Sequence, residues 1–195
     1  LLDDFYRELE PVGRLEVVGE LARRALDYYQ GLPVELRTTD TQRNQALAQA
    51  RHGAVLRNQG RIVEARQMLD TSIPTLDELR AKGDTSEATA IGLALGLMAQ
   101  AKLGPGGGGS EAVEAIAPAR RAVEVLKPGA EAQGASVALR RTYAAALTQL
   151  GFIEQRTGRN EAALATLQAA LDAYRGIDDL KSDNDAAANF GITSG

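Results

Sequence analysis

The chain has no cysteine and no tryptophan, and aromatic residues are only 4% of its 195 positions. Without cysteine there is no disulfide framework, no thiolate nucleophile and no sulfur ligand for a metal. His52 is the only histidine. A metal centre would need several ligands at suitable spacing, and neither a second histidine nor a cysteine exists to supply them. An excess of basic residues is missing too: 22 Lys and Arg face 26 Asp and Glu, for a formal net charge of −4. That balance argues against a nucleic-acid partner, which calls for a Lys- and Arg-rich surface. No apolar run approaches membrane-spanning length, and nothing has the layout of a signal peptide. These absences lead us to expect a chain that works in the cytoplasm, with neither a membrane nor a nucleic acid as partner.

What is abundant is alanine and leucine. Both rank high in helix propensity, while the aromatic residues that favour strands are scarce, so an all-α fold is expected. With 44% hydrophobic and 25% charged residues, the chain can build a real core. The clearest pattern lies in Leu147–Tyr174. Gly151 and Gly158 are followed by Ala163, Leu167 and Ala170, the last three on one helical face. Gly158 reads as a helix stop and Asn160 as the N-cap of the next helix, giving a tight helical hairpin. The same spacing recurs as Gly53, Gly60, Ala65, Leu69 and Ser72. Weaker copies are Leu95-Gly96 with Gly104, Ala115, Ala119 and Ala122, and Gly13 with Val18, Ala22 and Ala25. Phe190-Gly191 echoes Leu150-Gly151 once more.

Punctuation along the chain gives boundaries. A short amphipathic segment, 1–9, is closed by Pro11 and Gly13. Helices are then predicted at Leu15–Gln30, from Thr39 or Asp40 to Asn58, and at Arg61–Ala81, with Pro74 a kink or early end in the last. Ser86 caps a helix reaching Leu103, and another runs from Ser110 or Glu111 to Leu126, with Pro118 in its first half. Lys127-Pro128-Gly129 reads as a break, followed by a long helix from Ala130 to Thr157 and another from Asn160 to Ile177. Asp178 to Asp183 reads as a polar turn before a further helix, Asn184 to Gly191. The units so defined are 1–31, 40–82, 86–127 and 130–178, with a fifth beginning at 183–195. The chain starts at Leu1 rather than Met and stops inside that fifth unit, so we expect a fragment of a longer protein. Helical hairpins that need neighbours to complete their core imply an α-solenoid.

No constellation of residues carries catalysis. Gly104–Ser110, GPGGGGS, lacks the Lys-Ser/Thr that a phosphate-cradling loop needs after its glycines and has no preceding strand. It reads as a flexible linker inserted in a turn, natural or engineered. His52 stands where other copies carry Leu95, Leu150 or Phe190, and so reads as a packed or partly buried core residue. Asp178, Asp179, Asp183 and Asp185 lack the glycine and distal glutamate of a calcium loop. The basic pairs Arg23-Arg24, Arg120-Arg121 and Arg140-Arg141 read as solvated helix faces. No enzyme and no cofactor are expected.

The copies resemble the tetratricopeptide repeat family. Leu150-Gly151 with GRNEAALATLQAAL, Gly53 with GRIVEARQML, Leu95-Gly96 with EAIAPARRAV, and Gly13 with LEVVGELARRAL carry the likeness. The long helices look like the extended-helix bacterial type, and the entry segment looks like the lead-in to arrays in large multidomain signalling proteins. The resemblance implies a right-handed α-solenoid of antiparallel hairpins acting as a protein–protein interaction scaffold. It also implies a concave groove lined by the first helix of each pair. Carried over residue by residue, that groove takes Leu47, Ala50, Ala54, Arg57 and Asn58; then Ala90, Leu93, Leu97 and Gln100. Its last group is Ala145, Thr148, Phe152, Gln155 and Arg156. Members that bind a C-terminal carboxylate place Lys and Asn where this chain has Ala50 and Ala54, so the expected ligand is a helix or extended peptide. A second reading is a regulatory repeat domain that holds an attached enzyme in check. A third is self-association through the C-terminal helix.

Overall fold

The computed structural model describes residues 15–104 and 110–192. Seven α-helices and one 3-10 turn account for the regular structure of those residues, with no strand among them. We label them α1 (Leu15–Gln30), α2 (Thr39–Asn58), α3 (Ile62–Ala81), α4 (Glu87–Gln100), α5 (Ser110–Ala130), α6 (Val137–Arg156) and α7 (Asn160–Ile192). The segment 1–9, Gly13 and most of the glycine-rich stretch at 104–110 lie outside the described residues.

Helix ends follow local chemistry. Thr38, Ser86 and Ser136 are N-caps whose hydroxyls accept from Thr41 N, Thr89 N and Leu139 N, filling donors that the first turn leaves open. At the other end, Gly60, Gly83 and Gly158 take φ of +77°, +98° and +75° just past the ends of α2, α3 and α6. Each forms the same paired closure. Gly60 N donates to Arg57 O at 3.0 Å and Arg61 N to Leu56 O at 2.9 Å, and Gly158 N and Arg159 N repeat this onto Gln155 O and Glu154 O. Any side chain there would be strained, which makes glycine the stop signal.

The glycines inside the helices set the hairpin packing. A Cβ on Gly53 would lie 3.0 Å from Leu69 Cδ2 and 3.3 Å from Ala65 O. On Gly151 it would lie 2.7 Å from Leu167 Cγ and 3.5 Å from Ala163 O. The two hairpins therefore make one contact twice, in matching register. The third copy departs from it. Gly96 faces Ile73 Cγ1 at 3.1 Å and Ala50 Cβ at 3.7 Å, which belong to the preceding hairpin. Gly53 and Gly151 stand six residues before their C-caps, Gln59 and Thr157, whereas Gly96 stands five before Ala101. One residue turns a helix by about 100°, and so the glycine swings to the neighbouring pair.

Each helix packs on the next in sequence, and α2 also packs on α4 and α4 on α6. Gly92 meets Leu47 and Leu76 while Gly96 meets Ala50 and Ile73, so α4 runs parallel to α2 and antiparallel to α3. Ser136 N bonds Glu87 Oε1 at 3.0 Å and Gln149 Nε2 bonds Met98 O at 2.8 Å, which sets α6 parallel to α4. The main core runs from Ala46 to Ala146, with Leu56, Leu69, Leu76, Leu93, Leu97, Leu126 and Leu139 almost wholly buried.

Five boundaries differ from expectation, and the first is the end of α4, at Gln100 with Ala101 as C-cap rather than at Leu103. α3 passes through Pro74 without ending, held by buried Ile73, Leu76 and Leu79 on its inner face while Pro74 itself is exposed. α5 likewise continues through Pro128 to Ala130, because Leu126 and Ala130 are both anchored in the core. The break falls later, at the turn containing Gly134 with φ +83°, so α6 begins at Val137 rather than 130. α7 runs unbroken through 178–183, in place of the polar turn that the aspartates suggest. No proline or glycine interrupts 177–190, and aspartates are solvated as well on a helix as in a turn. The acidic side chains there, and those of 184–191, are outside the described residues.

Candidate partner-binding edge

Because α2, α4 and α6 are parallel, their C-terminal turns lie at one end of the molecule. The expected groove residues divide between that end and the interior. Leu47, Ala50, Ala90, Leu93 and Leu97 are buried, from 0% to 9% exposed, and form the contacts between α2, α3 and α4. These five fill the core and line no open surface. Ala54 and Ala145 are half-buried, as is Thr148, whose hydroxyl donates to Ala144 O at 2.9 Å. Asn58, Gln155 and Arg156 are exposed, and Arg57 and Gln100 are half-buried. Phe152 is 53% exposed, an uncommon position for a phenylalanine, with Thr148 and Arg156 one turn away on either side.

Electrostatics single out the same end. The Nε of Arg57 is buried without a hydrogen-bond partner, and burial lowers the guanidinium's pKa. Lys102, just past the end of α4, also has a lowered pKa, first through loss of solvent around its ammonium group and then through Arg57. Lys102 is not among the residues expected from the sequence. A lone lysine after a helix gives no pattern to read, and its relation to Arg57 exists only once α2 and α4 are side by side.

Two buried or partly buried carboxylates are satisfied within the fold, whereas His52 Nδ1 and Gln149 Oε1 have no hydrogen-bond partner. Glu154 is 3% exposed, accepts from Thr166 Oγ1 at 2.8 Å and faces Arg120 at 3.7 Å. Asp84 accepts from Ser86 N at 2.9 Å and Thr89 Oγ1 at 2.7 Å and pairs with Arg43 at 3.0 Å, tying α2 to the start of α4. Burial alone would raise its pKa; the hydrogen bonds outweigh that and hold it well below the usual carboxylate range. His52 is half-buried with Nδ1 unpartnered, and burial followed by the Arg61 charge lowers its pKa. No group of carboxylates and imidazole suited to a metal occurs among the described residues. No described helix is long and apolar enough to cross a membrane.

No family model matches the sequence, and no curated protein is significantly similar to it.

Proposed function

We propose that this chain is a protein–protein interaction module, a right-handed α-solenoid of the tetratricopeptide type. In this reading it engages a peptide or partner domain along the edge formed by the C-terminal turns of α2, α4 and α6. The observation that carries the reading is the repeated hairpin contact, Gly53 on Leu69 and Gly151 on Leu167, in a stack where, among the described residues, the main helix contacts join near neighbours in sequence. Such stacks present one side chain set per repeat along a continuous edge. Here that set is Arg57 and Asn58, then Gln100, then Phe152, Gln155 and Arg156, mixing an apolar anchor with amide and cationic groups suited to a peptide. The buried members of the expected groove serve the reading indirectly, by fixing the spacing of the three helix ends.

The test uses surface positions, since aspartate at Leu97 would put a charge into the core. Phe152→Asp combined with Asn58→Asp should abolish capture of the partner taken from the source cell by the unmodified chain, with the helical circular dichroism spectrum unchanged. Capture at full strength by that variant would rule the edge out as the binding surface.

A further inference from the structure

The α2–α3 and α6–α7 hairpins share the glycine–leucine contact in matching register, so positions of the first have counterparts in the second. In the first, α4 fills the groove between the two helices. Its Gly92 lies against Leu47 and Leu76, and its Gly96 against Ala50 and Ile73. The counterparts of those four are Ala145 and Tyr174, then Thr148 and Leu171. Ala54, one turn past Ala50, is half-buried, and its counterpart is Phe152. No described helix covers the second groove: Ala145 and Thr148 are half-buried, and Phe152, Leu171 and Tyr174 are exposed. Three large apolar side chains along one open groove mark an interaction surface.

We propose that this groove binds an α-helix of a partner protein that presents small residues, Gly or Ala, four positions apart. The helix lies parallel to α6 and antiparallel to α7, as α4 lies on its own pair. One small residue meets Ala145 and Tyr174, and the next meets Thr148 and Leu171. At Gly92 an added Cβ would collide with Leu47 Cδ2; Ala145 lacks that branch, so alanine fits there as well as glycine. Leu171 keeps the bulk of Ile73, which lies 3.1 Å from a Cβ built on Gly96, and so holds the second position to a small residue. The path of the chain points to an occupant from another protein. After α3 ends at Ala81, Gly83 turns the chain straight back into α4. α7 makes no such turn: it runs thirteen residues past Asp179, the counterpart of Ala81, to Ile192, about 20 Å farther along its axis. A second copy has no suitable helix free among the described residues, since α2, α4 and α6 are each already packed between neighbours. The lining differs in the same sense. Where α4 is always bound the groove presents Ala50, Ala54 and Leu76; here Thr148, Phe152 and Tyr174 replace them, and aromatic rings are the usual anchors of interfaces that open and close. This rests on the interaction reading, with Phe152 common to edge and groove, and deepens it by giving the partner's secondary structure and packing residues.

A peptide with the sequence of α4, Glu87–Gln100, extended by lysines for solubility, serves as the probe. Added to the full chain, it should shift the methyl NMR resonances of Leu171 and Thr148 saturably. A Gly96→Leu version of the peptide should not. In the chain, Leu171→Glu should weaken peptide binding at least ~tenfold and leave the thermal unfolding curve unchanged, since that side chain is already half in water. Asn58→Asp, on the edge and outside the groove, should leave peptide binding unchanged, so groove and edge can fail separately. The proposal is overturned by the absence of a saturable shift, by peptide binding that survives Leu171→Glu, or by equal binding of the Gly96→Leu peptide. A concentration-dependent dimer of the peptide-free chain that Leu171→Glu dissolves also overturns it, by making the occupant a second copy.

Discussion

In the α2–α3 hairpin, Ile73 and Leu76 are 6% and 0% exposed; at the matching positions of the α6–α7 hairpin, Leu171 and Tyr174 are 52% and 41% exposed. Among the inner positions Leu69 is buried and Leu167 half-buried, but three other pairs do not differ. Ala65 and Ala163, Ser72 and Ala170, and Leu79 and Ile177 are buried in both. Each hairpin thus closes on itself through the same glycine–leucine contact, and a second, outer face is buried only when another helix arrives. α4 is that helix for the first hairpin, its Gly92 and Gly96 letting it lie close to Leu76 and Ile73. Stability is therefore divided into a part built into every hairpin and a part contributed by the neighbour.

The largest effect that should separate the two hairpins is truncation of the outer face. Ile73→Ala should cost about 2–4 kcal/mol, because it opens a cavity under α4. Leu171→Ala at the matching position should cost less than about 1 kcal/mol, since that side chain is already half in water. Urea unfolding of the two variants measures both, and equal losses would mean that the outer faces are equally buried.

Next in size is the Asp84 junction, which has no full counterpart in the second hairpin. There Glu87 alone accepts from Ser136 N. Asp84→Ala should destabilise by about 1–3 kcal/mol, because it leaves the buried Thr89 hydroxyl without its carboxylate acceptor and Arg43 with Asp40 as its one remaining acidic partner. The folded-state pKa of Asp84 is depressed below its ordinary 3.8, so its stabilisation is complete above that value and is lost as pH falls below it. An acid titration of stability should show this loss in the parent chain and not in Asp84→Ala.

The smallest effect concerns His52, where the second hairpin has Leu150. The lowered pKa of His52 means the folded chain takes up the imidazole proton at a lower pH than the unfolded chain, which does so near 6.5. Stability is unaffected above that pH and falls as pH drops below it. His52→Leu should remove this part of the acid sensitivity, seen as a gap between variant and parent that widens from pH 7 toward pH 5. A constant gap would show that His52 does not titrate differently on folding.

Much of the fold can be read from particular residues. Gly60 and Gly158 take left-handed backbone, Ser86 caps, and the Gly–Ala–Leu spacing has to repeat for two helices to touch twice in one way. Pro74 and Pro128 mislead because proline's local cost is fixed, whereas the burial of Ile73, Leu76, Leu126 and Ala130 that outweighs it depends on distant helices. Gly96 aligns with the other copies through its neighbour Leu95, yet a one-residue offset from the C-cap reverses its partner. The candidate site is half legible for a related reason. Helical spacing shows which residues share a stripe, and Leu47, Ala50, Ala90, Leu93 and Leu97 do share inward stripes with Arg57 or Gln100. It does not show where along a stripe the neighbouring helix stops covering it.

The most direct test of the shared hairpin contact is a double-mutant cycle on Gly151 and Leu167. Gly151→Ala places a methyl 2.7 Å from Leu167 Cγ, so in the parent chain it should destabilise by about 1–2 kcal/mol even after the gain in helix propensity. In a Leu167→Ala background the same substitution should stabilise by up to about 1 kcal/mol, because the clash is gone and alanine's propensity remains. Gly53 and Leu69 should repeat the reversal of sign. Stabilisation by Gly151→Ala in both backgrounds would contradict the close approach on which the equivalence of the two hairpins rests.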